Sequence, residues 1–426
     1  MVLNYIWIGF FIVAIIVAAL RVILFYGQQS LIPLFWTFFD SSDRDVFYSI
    51  VDATFVMAEK SVTIAITLIG AMALWLGFMR IGEQGGAVRI MSRWVSPFFS
   101  RLFPGVPKDH PAMGSILMNF TANMLGLDNA ATPLGLKAMK ELQTLNDKKD
   151  TASNAHIMFL VLNTSGLTII PVSIMAYRLG AGAANPADIF VPILLATFFS
   201  TIVGLITVSI FQRINLFQPV VLLFIGIISA IVAFLIWFVT TLNQSETEVF
   251  SKFISSIIIL GFILFFFILG IRKKINLYET FIEGAKEGFQ VGVKIIPYLV
   301  AMLVAIGVFR ASGTMDFIIS GIGRFFAWVG VNTDFVPALP TAFMKPLSGS
   351  GARGMMLEAM ANYGPDHFIS RLACTFQGST ETTFYAVALY YGSVSIRKTR
   401  YTITCGLLAD LAGIIAAVFI AYIFFH

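Results

Sequence analysis

Nine stretches of roughly 18–25 predominantly apolar residues, each long enough to cross a bilayer, run through this chain and limit it to one kind of solvent. They lie near 4–25, 61–80, 155–178, 188–212, 217–242, 251–271, 291–310, 368–391 and 400–425. Only 12% of the residues are charged, against about 25% in a typical soluble domain. Such a chain cannot cover its own surface with polar groups, so lipid is its expected solvent and partner. Residues 2–20 could suggest a secretory signal. No Lys or Arg precedes this run, it has spanning length, and no small-x-small site follows it, so it reads as a first membrane helix.

Two further regions are apolar but interrupted: PAMGSILMNFTANMLGLDNAATPLGLKAMKELQ (111–143) and PALPTAFMKPLSGSGARGMMLEAMAN (337–362). Each has two short arms around a small, polar, Gly-rich centre, and neither arm can span. The pattern predicts helical hairpins that enter the membrane and turn back, which lipid tolerates only where protein or a watery cavity surrounds the irregular backbone. A moderately amphipathic stretch precedes each hairpin, at 87–103 and 315–329, and suits the interface.

The two regions belong to a repeat. AITLIGAMALWLGFMRIG (65–82) resembles PYLVAMLVAIGVFRASG (297–313), and IMSRWVSPFF (90–99) resembles IISGIGRFFA (318–327). The hairpins then align, with Leu136-Lys137-Ala138-Met139 opposite Leu357-Glu358-Ala359-Met360. FLVLNTSGLTIIPVSIMAYRLG (159–180) follows opposite CTFQGSTETTFYAVALYYGSVS (374–395). If Arg272-Lys273-Lys274 is cytoplasmic, threading the spans puts Arg80, Arg89, Arg93, Arg101, Lys108, Lys140, Lys148, Lys149, Arg213, Arg397, Lys398 and Arg400 on that side. Asp40, Asp43, Asp45, Asp52, Glu246 and Glu248 fall outside. This is the positive-inside bias, and it sends the first hairpin in from the cytoplasm and the second from outside. Two homologous halves of opposite topology are an architecture of secondary transporters. Trp36 and Tyr48 fit interfacial anchoring.

An ionisable side chain at the bilayer centre costs about 2.5–3.5 kcal/mol or more, so each one needs a reason. The first half gathers Asn119, Thr121, Asn123, Asp128, Asn129 and Thr132 with Asn163, Thr164, Ser165 and Thr168. The second gathers Lys345, Ser348, Ser350 and Arg353 with Gln377, Ser379, Thr380, Glu381, Thr382 and Thr383. Interrupted helices expose free N–H and C=O ends that suit a polar solute or an ion. The candidate binding residues are Asn123, Asp128, Asn129, Asn163, Thr164, Ser165, Lys345, Ser350, Arg353, Gln377, Thr380 and Glu381. Glu381 is the sharpest of them, with Lys345, Arg353 or Asp128 as expected partners; it could handle solute or lock the hairpin to its neighbour. Asp128 also suits a helix N-cap. Asp410 reads as a buried helix–helix hydrogen-bonding group.

Other motifs carry little. GSGARG (349–354) matches G-x-G-x-x-G, but a dinucleotide site needs a βαβ unit around it. The sequons at Asn119 and Asn163 lie in apolar segments, unlike the one at Asn243. Cys374 and Cys405 form no CxxC, and the four histidines are unclustered. No metal, cofactor or catalytic set is expected, and the scattered net charge of +5 has no nucleic-acid footprint.

NMLGLDNAATPLGLKAMKELQ (123–143) with FLVLNTSGLTIIPVSIMAYR (159–178) resembles the bacterial spore maturation protein A family. QGSTETTFYAVALYYGSVSIRKTRY (377–401) with DLAG (410–413) resembles the spore maturation protein B family. Both families are placed in the nucleoside-recognition, or Gate, superfamily, along with parts of a bacterial iron transporter and the concentrative nucleoside transporters. The resemblance implies an A–B fusion with a transporter-like gate fold in the inner membrane. It carries over no catalytic residues and does not establish nucleoside binding. The expected fold is an all-α integral membrane protein of about nine spans plus two re-entrant hairpins in an inverted repeat. Its expected parts are an N-terminal helix and outer loop (1–44), an A-like repeat (45–215), two linking helices (216–274) and a B-like repeat (275–426). The expected function is a secondary transporter or channel for a small polar solute, or else a non-transporting membrane scaffold. A homo-oligomer is compatible with the Gly-rich spans.

Overall fold

The computed structural model describes residues 2–31, 41–107, 109–126, 128–166 and 168–426, with side chains described except at 2–3, 28–31 and 128–130. The expectations for Trp36, Asp40 and Lys108, and for the side chains of Asp128 and Asn129, lie outside the described residues. The chain order is α1 (Val2–Leu31), α2 (Ser41–Arg44), α3 (Val46–Gly85), α4 (Ala87–Leu102), α5 (Pro111–Met124) and α6 (Asp128–Thr144). Then come α7 (Asn154–Ser165), α8 (Val172–Gly180), α9 (Phe190–Gln212), α10 (Pro219–Thr240), α11 (Gln244–Arg272) and α12 (Leu277–Ala311). After α13 (Thr314–Trp328) and a 3-10 turn (Val336–Ala338) follow α14 (Leu339–Met344), α15 (Gly349–Tyr363), α16 (Phe368–Ser379), α17 (Thr383–Gly392) and α18 (Thr402–Phe425).

Helices α1, α3, α9, α10, α11, α12 and α18 are long and apolar enough to cross a membrane. The protein is therefore a multi-pass membrane protein. The remaining two apolar runs, 155–178 and 368–391, are not continuous spans. Each is broken near its middle, into α7–α8 and α16–α17. Hydropathy counts apolar residues and does not register a change of backbone direction. The interrupted regions 111–143 and 337–362 are helical hairpins, α5–α6 and α14–α15, and 87–103 and 315–329 are the short helices α4 and α13. Helices α3 and α12 run to 40 and 35 residues, well past the apolar windows at 61–80 and 291–310. Their extra turns carry Asp52, Glu59 and Lys60, and Glu279, Glu283, Lys286 and Glu287. Those charges end an apolar window but not a helix.

Equivalent helices of the two halves pair with each other. α3 packs along α12 and α9 along α18, while α7 leans on α18 and α16 on α9. The α3–α12 seam is close because α12 presents Gly284, Gly288 and Gly292 to it, at four-residue spacing. A Cβ on Gly288 would meet the backbone of Met72 and Ala73, and one on Gly292 would meet Ile69. Small residues at this spacing let helix backbones approach where no hydrophobic drive separates protein from lipid.

The loop contacts report the topology. On one face, Lys273 Nζ donates to Gln84 O (3.1 Å), Ala152 N to Lys398 O (3.0 Å) and Arg397 N to Asp150 O (2.9 Å). On the other, Arg178 Nη1 donates to Pro365 O (2.6 Å), Tyr422 OH to Asn332 Oδ1 (2.9 Å) and Arg21 Nη1 to Ser312 O (2.9 Å). Each bond joins ends that the threading puts on the same side. α3 and α12 therefore run in opposite directions, as do α9 and α18, and the hairpins enter from opposite faces. The fold is an all-α membrane protein with an inverted-topology repeat.

Candidate functional site

Four interruptions of the helical backbone converge in the interior. The tip of the first hairpin turns at Gly126 (φ +71), a left-handed position that only glycine adopts without penalty. A Cβ there would lie 2.8 Å from Ile170 O. The α7–α8 break holds this tip through Ile169 N donating to Met124 O (2.9 Å). The second half repeats the arrangement: Phe384 N, just past the α16–α17 break, donates to Pro346 O at the tip of the second hairpin (3.1 Å). The two breaks are then joined by Glu381 N donating to Thr164 O at 2.7 Å. Tip, break, break and tip form one chain of backbone contacts across the inverted repeat. Helix ends brought together this way leave N–H and C=O groups free for a polar guest.

Side chains fill in around this chain. Asn123 Nδ2 donates to Asn163 Oδ1 (2.8 Å), and Asn163 Nδ2 donates to Phe159 O (2.8 Å). Thr164 Oγ1 bonds Val161 O, and Ser165 O accepts from Thr201 Oγ1 (3.2 Å). Ser348 caps α15 by accepting from Gly351 N (3.1 Å), with Ser350 Oγ 3.2 Å from Ser348 Oγ. Gln377 and Thr380 are buried, and Gln377 Oε1 and Thr380 Oγ1 have no hydrogen-bond partner among the described residues. Lys345, at the tip of the second hairpin, is 4% exposed. Glu381, by contrast, is exposed at the break.

One sequence expectation needs correcting. Among the described residues Glu381 forms no ion pair with Lys345 or Arg353. Arg353 instead stands over the ring of Tyr177 in α8, 5.3 Å from its centroid. Tyr177 belongs to the other repeat, so Arg353 links the second hairpin to α8. Asp410 accepts from Thr383 Oγ1 of α17 at 2.7 Å, as a helix–helix hydrogen-bonding group should. It also lies within electrostatic reach of Lys345 and Glu381, and beside Thr380. Asp410 and Thr383 thus lie beside the candidate residues, although the candidate set above leaves them out. The signal available was a lone carboxylate in an otherwise uncharged span. Tyr390 of α17 is a further addition: it fills the space that Gly135 leaves on the first hairpin and stacks edge-on with Phe159 at 5.6 Å.

Buried ion pairs hold the frame around the site. Arg310 of α12 pairs with Glu358 of α15, which also accepts from Asn362, and so ties the second hairpin to the long central helix. In the last turn of α8 Arg178 is fully buried and reaches Asp188 (2.9 Å) and Asp366 (3.0 Å), while Arg371 of α16 reaches Asp188 at 2.8 Å. Burial pushes the Asp188 carboxyl above the usual carboxylate range, and Arg178 and Arg371 oppose that shift. An apolar cavity of ≈ 40 Å³ lies beside the first tip, lined by residues such as Phe120, Met124, Leu162, Phe198 and Thr201. It has room for a water or two and not for an organic solute.

The chain belongs to the Gate (nucleoside recognition) family, whose sequence profile matches residues 65–181 and 292–397, just over half of its length. It is 46% identical over 169 residues to spore maturation protein B of Bacillus subtilis (strain 168), covering 91% of that protein and 40% of this chain. It is also 46% identical over 155 residues to spore maturation protein A of the same bacterium, covering 79% of that protein and 36% of this chain. A solved structure of CNTnw in an inward-facing substrate-bound state aligns over 98% of this chain and 90% of its own at 14% identity and TM-score 0.39. A doubly substituted CNTnw in an outward-facing state aligns over 96% and 89% at 12% identity and TM-score 0.39. Family and fold together define a multi-pass membrane protein of the Gate family with an inverted-topology repeat.

Proposed function

We propose that this protein is a secondary transporter or channel of the bacterial inner membrane for a small polar solute, bound where the two hairpin tips meet the two helix breaks. The observation that carries this reading is the Thr164–Glu381 contact: it joins both breaks, each of which already holds a hairpin tip. An exposed carboxylate at that depth is costly in lipid and is sustained by water or a polar guest. The binding residues in this reading are Asn123, Asn163, Thr164, Ser165, Lys345, Ser350, Gln377, Thr380 and Glu381, with Asp128 and Asn129 at the start of α6. Arg353 braces the second hairpin. Gating is a rocking of one repeat against the other. The basic face, with Arg272, Lys273 and Lys274, is cytoplasmic in this reading.

The test is a thermal-shift panel of nucleosides, amino acids, dicarboxylates and metal ions on the purified protein. A ligand at about 100 times its Kd adds about 2.7 kcal/mol. One chemical class should stabilise the wild type and leave Glu381→Gln unmoved. A panel in which no class shifts the wild type, or in which Glu381→Gln shifts equally, defeats the assignment. The rival reading is a membrane scaffold of the spore-maturation kind, favoured by the mutual pairing of Asn123 and Asn163; it predicts a flat panel.

A further inference from the structure

We propose that α4 is a binding site for anionic lipid, its arginine stripe taking the phosphodiester groups of the leaflet that borders the basic face. The proposal does not depend on what the protein carries.

α4 lies along the basic face. Its start adjoins Lys273, whose Nζ would lie 3.0 Å from a Cβ on Gly86. Beyond its end, His110 Nε2 is 3.4 Å from Thr144 Oγ1, and the adjacent Gln143 Nε2 donates to Val394 O at 3.1 Å, just before the loop that carries Lys398. Both ends thus meet the face of Lys273 and Lys398. The 16 residues between them, about 24 Å of helix, run along that face. Depth is set by α10. Phe98 stacks on Phe224 at 4.4 Å, and Phe224 is only about 7.5 Å past Pro219, where α10 begins. That beginning is on the basic face too: Gln212, at the end of α9, donates to Asn154 O (2.8 Å), and Asn154 Oδ1 accepts from Arg400 Nη1 (3.0 Å). α10 turns Leu222, Leu223 and Ile227 outward, as a lipid-facing span does. α4 is therefore level with the first two turns of such a span, where headgroups begin.

The two sides of α4 differ in kind. Val95, Phe98, Phe99 and Leu102 are buried. Opposite them Arg89, Arg93, Pro97 and Arg101 follow at four-residue spacing, all exposed, so three guanidinium groups share one face. None of the three makes an ion pair or hydrogen bond among the described residues. Glu83, the acid nearest them in the chain, is taken by Arg80. Trp94, 75% exposed, stands at the edge of the stripe. Guanidinium groups bind phosphate oxygens in pairs, and indole rings settle at headgroup level. The second repeat is an internal control. On α13, and just past its end, the same register reads Phe317, Gly321, Phe325 and Val329, and the single arginine, Arg324, stands off that line. The fold itself does not require a basic face on this element. The stripe also bears on the first hairpin, because Ser92 Oγ, on the buried side of α4, lies 3.2 Å from Thr121 Oγ1 of α5.

Tryptophan quenching by lipids brominated on their acyl chains, in phosphatidylcholine vesicles, tests the proposal. The Trp94 signal is the difference between the wild type and Trp94→Phe. Each basic side chain near an anionic surface favours it about fivefold. Brominated phosphatidylglycerol should therefore quench that signal at about one-fifth or less of the mole fraction that brominated phosphatidylcholine requires. The triple variant Arg89→Gln, Arg93→Gln, Arg101→Gln should require equal fractions of both. The Trp328 signal, obtained likewise from Trp328→Phe, should not distinguish the headgroups. Equal quenching of Trp94 by the two lipids in the wild type overturns the proposal, as does a preference that survives the triple variant or is shared by Trp328. A preference abolished by inorganic phosphate, but not by sodium chloride of equal ionic strength, assigns the stripe to free phosphate and overturns it too. If the triple variant does not elute as a folded species, Arg93→Gln alone decides, with an expected loss of about fivefold in preference.

Discussion

Gly288→Ala adds one methyl group at the crossing of the two central helices. The new Cβ would lie 2.5 Å from Met72 O and 2.6 Å from Ala73 Cα, where ordinary contact begins at 3.4 Å. Both neighbours are backbone, so no rotamer change relieves the clash. α3 and α12 must part by about 1 Å at this point, or one of them must bend. Overpacking of this kind costs about 1–3 kcal/mol, less about 0.4–1 kcal/mol recovered from the lower entropy of the unfolded chain. The control is Gly321→Ala on α13, where nothing lies within 4 Å and alanine's helix propensity makes the change neutral or mildly stabilising. Thermal unfolding of both variants in one detergent provides the comparison. If Gly288→Ala unfolds within about 0.5 kcal/mol of the control, the seam is not close-packed. The pairing of equivalent helices about a common axis then loses its physical basis.

Three further outcomes are expected. Arg178→Met leaves Asp188 with Arg371 as its remaining ion-pair partner and Asp366 with none, and should destabilise toward the low end of about 3–5 kcal/mol, read as a lower unfolding temperature; Arg44→Met, in an exposed pair, should change little. Arg310→Met should destabilise by a similar amount because Glu358 is left buried and charged, and adding Glu358→Gln should recover part of the loss; strict additivity in that double-mutant cycle would argue against a coupled pair. Lys149→Cys and Asp334→Cys, on the loops that flank the two hairpins, should be labelled by an impermeant maleimide from opposite faces of sealed vesicles, and labelling of both from one face would end the inverted arrangement.

The sequence by itself carried the membrane class, the two hairpins, the short helices that precede them and the order of the repeat. Those are local properties: apolar run length, a Gly-rich interruption, the sign of the loop charges. It also marked most of the polar residues at the centre, because a polar group in an apolar span is conspicuous wherever it packs. It did not reveal the breaks inside 155–178 and 368–391. The backbone N–H groups beside those breaks, on Ile169 and Phe384, find their acceptors on other elements, Met124 and Pro346, which no window of sequence contains. It placed Arg353 beside Glu381 because both are charged and near in the repeat; helix rotation instead put Arg353 over Tyr177. It treated Asp410 as framework because its neighbours along the chain are apolar. Only the packing of α18 against the α16–α17 break sets that carboxyl beside Thr380 and within reach of Lys345. Hydrophobicity is a sum over neighbours in sequence, while the polarity of a site depends on neighbours in space, and in this fold an inverted pairing of distant helices supplies them.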